Sequence, residues 1–160
     1  LTLHSTSPPS GRLLPDAYRD AVYRFASAAR LDADALLEGQ GFDFGGVRFR
    51  LECYAQMDPD GLYLLVEVGQ FEQGSAGSVC QRLLELNMLV PAARLGYYGV
   101  MPGSNMVMYC MRIDLSQTAE AHELIAAAAQ ALTHELQRTL SELAQAAKKA
   151  AGTGINPDIA

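Results

Sequence analysis

Basic residues are scarce in this chain: 12 lysines and arginines stand against 18 acidic side chains, a formal charge of −6. That balance disfavours a nucleic-acid or anionic-membrane surface. Cysteine is scarce too, and Cys53, Cys80 and Cys110 lie inside apolar runs with no CxxC spacing. They read as buried, reduced thiols of a cytosolic protein, so neither a disulfide framework nor a metal cluster is expected. No apolar run approaches the roughly 18 residues that a membrane span needs, and the N-terminus lacks a basic stretch followed by an apolar core. The expectation is a soluble cytoplasmic protein, neither inserted nor exported by signal peptide.

The signatures of catalysis are missing as well. There is no GxxxxGK[ST] or GxGxxG pattern, and the glycines of GQGFDFGG lack a following helix with a basic residue, so they read as turn formers. His122-Glu123 and His134-Glu135 invite a zinc reading, but a HExxH site needs histidines four apart on one helix face. These two lie about 120° apart around a helix at 100° per residue, and cannot chelate together. Cys80 sits near a helix start among apolar neighbours with no suggestive histidine, which reads as a packed thiol. The expectation is a non-enzyme without cofactor or metal.

What is present is a chain long enough for one domain, burying about 70% of its unfolded surface. Residues 1–13, rich in Ser, Thr, Pro and Gly and starting without Met, read as a flexible leader; residues 14–149 form the single domain; residues 150–160 read as a frayed tail. From Asp16, Tyr18, Val22, Phe25 and Ala29 recur at helical spacing, with Pro15 suited to the first turn and Tyr23 exposed on the solvated side. After a short helical turn at DADALLEG, the glycine-punctuated FDFGGV is a loop or bulged edge strand. VRFRLECYAQ then alternates Val47, Phe49, Leu51 and Cys53 with polar residues, and MDPDG turns the chain into LYLLVEVGQF. In that hairpin Leu62, Leu64, Val66 and Val68 share the core face. Its outer face mixes Tyr54, Tyr63, Leu65 and Phe71 with Arg48, Arg50 and Glu67, a surface suited to a peptide. The last helix, 117–149, puts Ile125, Ala129, Leu132, Leu136, Leu140 and Leu143 on one stripe with a period near 3.6, which suits packing on a sheet.

Residues 79–115 are apolar on more than one face. In the helix, Val79, Leu83, Leu86 and Val90 make one stripe, and Cys80, Leu84 and Met88 make a second. In the strand 106–115, Met106, Met108 and Cys110 face one way, and Val107, Tyr109, Met111 and Ile113 the other. The five methionines from Met88 to Met111 suit irregular packing at an interface. One small sheet cannot bury all of this, and a second subunit is the simplest cover.

This order of elements, with LLELN ending in Asn87, the LGYYG hairpin, the apolar strand and the long last helix, resembles the class I type III secretion chaperones of the Tir-chaperone (CesT-type) family across residues 14–147. The resemblance implies an α+β homodimer with an antiparallel sheet of about five strands and three main helices, in the order α-β-β-β-α-β-β-α. It implies a cytosolic chaperone, associated with virulence, that binds the N-terminal segment of a secreted effector. It maps the dimer interface onto Leu83, Leu84, Asn87, Met88, Tyr98, Met106 and Met108. By face rather than motif, effector binding falls to Tyr23, Arg48, Arg50, Tyr63 and Leu65. The chain departs from the family in its long leader and its unusually apolar hairpin. The rivals are an adaptor of the same fold outside secretion and, further behind, a small-ligand-binding α+β protein.

Overall fold

A computed structural model describes residues 14–89, 96–117 and 120–152. The elements run α1 (Asp16–Ala29), α2 (Ala33–Leu37), β1 (Phe42–Phe44), β2 (Val47–Glu52), β3 (Gly61–Gln70), α3 (Ala76–Leu89), β4 (Gly96–Val100), β5 (Met106–Asp114) and α4 (Ala121–Gly152). All neighbouring strands pair antiparallel, in the order β1-β2-β3-β5-β4. This is the expected α+β architecture, with a five-stranded sheet and three long helices among the described residues.

Local chemistry sets the element ends. Pro15 is the residue before α1 rather than part of its first turn, and its carbonyl accepts from the Arg19 amide at 3.1 Å. Arg30 closes the helix in the left-handed region at φ 57°. Asp32 caps α2 by accepting from the amides of Asp34 and Ala35. FDFGGV is an edge strand: Gly45 and Gly46, at φ 58° and 78°, form the tight link to β2 that only positive φ allows. The 3-10 turn Gln73–Ser75 precedes α3. Val90, the last member of the expected α3 stripe, lies outside the described residues.

The helices pack on one face of the sheet. Tyr18, Val22 and Phe25 from α1, Val79 and Leu83 from α3, and Ile125, Ala129 and Leu136 from α4 share one core with Phe49, Leu64, Val66, Tyr109 and Ile113. Phe42 sits between Phe25 and Phe49, with ring centroids 5.1 and 5.5 Å away. Burial pushes the Tyr18 hydroxyl's pKa upward, with Cys53 and then Glu52 adding to it. The side chains of Leu140 and Leu143 lie outside the described set.

A β-bulge corrects one expectation. Strict alternation puts Phe71 on the outer face, but the β3–β5 register shifts between Glu67 and Gly69. The extra residue reverses the side-chain phase, and Phe71 packs against the core instead.

Candidate interaction surface

The face of the sheet away from the helices is built in rows by the strand register. One row runs Asp43, Arg48, Glu67, Met108, Gly99; the next Arg50, Leu65, Cys110, Tyr97; the third Glu52, Tyr63, Arg112. Alternation in strands puts these side chains together, so the sequence pattern and the pairing agree. Arg48, Arg50, Tyr63 and Leu65 are thus brought onto one surface. Tyr23 is not among them: α1 covers the opposite face, where the Tyr23 hydroxyl donates to Asp34 Oδ1 at 2.8 Å and ties α1 to α2.

Charge on this face is largely paired. Arg48 lies 3.7 Å from Asp43, and Arg50 Nε lies 3.2 Å from Glu52 Oε1. The Arg50 contact is off the hydrogen-bonding direction, leaving a buried N–H without a bond. Tyr54 and Tyr63 meet edge to face, their centroids 5.0 Å apart. At the end of the row Arg112 grips Asp58, in the β2–β3 turn, and reaches Asp114 at 3.2 Å. The Arg112 guanidinium and the Tyr63 hydroxyl hold the Asp58 carboxyl down at about 2. Hydrogen bonds from Ser116 and then Arg112 lower Asp114 as well.

Along the β4 side the apolar content rises. Tyr97 is 59% exposed. Interaction with Cys110 and partial burial push the Tyr97 hydroxyl up to about 12, while burial raises the Cys110 thiol. On α3 the two stripes part company. Val79 and Leu83 enter the core, whereas Leu84 is 67% and Met88 86% exposed. Cys80, on the same exposed stripe, is in contact with solvent, which corrects its reading as a packed thiol.

The dimer-interface residues expected from sequence therefore divide. Leu84 and Met88 are on the surface, and Met106 and Met108 are half-buried on the outer sheet face. Leu83 and Tyr98 are turned into the protomer's own core, Tyr98 against Tyr109 at 4.9 Å. Adjacent positions on a helix or strand point to different faces: of Leu83 and Leu84, both in the expected set, only Leu84 is exposed, and beside the buried Tyr98 of that set it is Tyr97 that reaches the surface. Asn87 makes a structural contact, donating to the Tyr98 carbonyl at 3.0 Å and accepting from its amide at 2.7 Å. GYYGV offers two tyrosines within the hairpin from Tyr97 to Met108 onto which the resemblance maps the dimer, and only strand phase tells the exposed Tyr97 from the buried Tyr98.

Among the described residues no group of three or more His, Cys, Asp or Glu is placed to hold a metal ion, and no helix is long and apolar enough to cross a membrane. No protein-family model matches the sequence, and no curated protein matches it either. Among solved structures, the chain is similar to one from the ExoT-SpcS complex of Pseudomonas aeruginosa, at 19% identity over 81% of this chain and 96% of that one, with a TM-score of 0.45.

Proposed function

We propose that this protein is a homodimeric cytosolic chaperone of type III secretion, which binds the N-terminal segment of a secreted effector and keeps it extended for export. The observation that carries the proposal is the apolar surface that the protomer leaves in water, Leu84 and Met88 on α3 and Tyr97 on β4. Leu84 and Met88 lie one turn apart on the exposed side of α3, and an exposed apolar stripe of this kind marks an interaction surface. In this reading the α3 stripe receives the second subunit, with Leu84, Met88, Tyr97, Met106 and Met108 contributing. The element order that resembles the Tir-chaperone family supports the same assignment.

The outer sheet face supplies the second half of the function. Arg48, Arg50, Tyr63 and Leu65 stand in register, with apolar spots between paired charges, and an extended segment places alternate side chains against such a surface. The chemistry is binding alone and requires neither catalysis nor cofactor. Tyr23, on the helical side, would form a separate contact for a segment that wraps round the edge of the domain.

The test is native mass spectrometry of the complex captured from source cells, followed by limited proteolysis. Two copies with one larger protein are expected, and the larger protein's N-terminal segment should resist protease only while bound. Two copies alone, or a partner segment equally resistant when free, would overturn the chaperone reading, the latter in favour of an adaptor.

A further inference from the structure

Carboxylates and arginines match up across the outer sheet face except at Glu67. Asp43 lies 3.7 Å from Arg48 and Glu52 3.2 Å from Arg50, while Asp58 and Asp114 share Arg112. Glu67 stands mid-sheet on β3, half-buried, and among the described residues no hydrogen bond or ion pair reaches its carboxylate. The ladder sets Arg48 directly opposite, where side chains of opposite charge ordinarily pair. Arg48 turns the other way: its side chain lies over Gly41, where an added Cβ would come within 3.1 Å of Nε, and it reaches towards Asp43 on β1. Arg50, on the diagonal from Glu67, is held by Glu52.

The surroundings of this bare carboxylate are apolar. Leu65 precedes it on the same face of β3, and Met108 stands across from it on β5, both half-buried. An apolar chain laid over Leu65 would strip water from an uncompensated charge, which is costly, whereas a cation placed there would make a pair of it. We propose that Glu67 selects the segment bound on this face by accepting from the basic head group of a lysine or arginine, whose methylenes lie on Leu65 and Met108. Long basic side chains cover apolar surface in this way while keeping the charge at its partner. In an extended segment every second side chain meets the sheet, so the basic residue belongs to the same alternating set as the apolar residues beside it. The inference rests on the reading of this face as a binding surface for an extended segment, and adds which side chain that segment presents.

Synthetic peptides of alternating leucine and serine, identical except for a central lysine, glutamine or glutamate in the leucine phase, test the selection by fluorescence anisotropy with the full chain. The lysine peptide should bind about tenfold more tightly than the glutamine peptide, as one charge-assisted hydrogen bond provides. Glu67→Gln should abolish that preference, and Glu67→Lys should transfer it to the glutamate peptide. A lysine preference that survives Glu67→Gln would assign it to the chain's overall negative charge and overturn the proposal. Equal binding of the three peptides would overturn it too, while leaving the face a binding surface. Failure of every peptide to bind would overturn the reading of the face itself, and the selection with it. Without peptide, Glu67→Gln should melt no lower than the wild type, because no ion pair is lost. A lower melting temperature would show that Arg48 already neutralises Glu67, and would overturn the proposal.

Discussion

Arg112 grips Asp58 through two parallel hydrogen bonds, Nε to Oδ2 at 2.6 Å and Nη2 to Oδ1 at 2.9 Å, across a sequence separation of 54 residues. The Tyr63 hydroxyl donates to the same Oδ2 at 2.6 Å. The β2–β3 turn is thereby pinned to β5, and a planar guanidinium is the group suited to a bidentate carboxylate contact.

This cluster gives an acid-limb prediction. The Asp58 carboxyl titrates lower in the folded chain than its ordinary value of 3.8, at about 2. Its stabilisation is therefore present in full above the ordinary value and is lost as pH falls towards about 2. Thermal melts of the wild type and Asp58→Asn should differ at neutral pH and converge between about pH 4 and pH 2. Melting curves that stay parallel throughout that range would show that the ionised pair contributes nothing.

On α3, neighbouring leucines should behave oppositely. Leu83→Ala removes a buried side chain and is expected to cost about 2–5 kcal/mol in urea unfolding. Leu84→Asp should leave the protomer folded while lowering the solution mass to that of one chain, because Leu84 lies outside the core. A folded dimer of Leu84→Asp, seen by light scattering, would move the subunit interface elsewhere.

In the core, Phe49 is fully buried and stacks on Phe42. Phe49→Ala should destabilise by about 3–5 kcal/mol, measured by urea titration.

At the β1–β2 turn, a Cβ on Gly45 would meet the Thr133 methyl of α4 at 2.7 Å, and the backbone there has φ 58°. Gly45→Ala should cost roughly 1–3 kcal/mol from the conformation alone, with the contact adding to it. Thr133→Ser, which removes the methyl, should recover only the contact part, and a double-mutant cycle separates the two.

On the outer sheet face, Leu65→Asp should weaken capture of the bound segment without lowering the melting temperature by more than a few degrees. Retained capture, in co-purification with the cognate segment, would remove this face from the binding surface.

Much of this was legible in the chain. The 3.6 period of Tyr18, Val22 and Phe25 and the alternation from Val47 to Val68 fix helix and strand, because burying apolar groups on one side demands those periods. The surface shared by Arg48, Arg50, Tyr63 and Leu65 follows from that alternation once β2 and β3 pair. Phe71 was misplaced because a bulge inserts one residue into the ladder, and local composition carries no mark of where the register slips.

By itself, the sequence determined which residues are apolar, their periods, and the glycines that permit the turns; these are properties of short segments and their backbone conformations. Only the tertiary structure decided which stripe of α3 meets the core. It buried Leu83 and left Leu84 in water, chose Tyr98 over Tyr97, exposed Cys80, and joined Asn87 to β4 and Asp58 to Arg112. Such choices depend on which distant elements come together, and one sheet has room to cover only one side of an apolar helix.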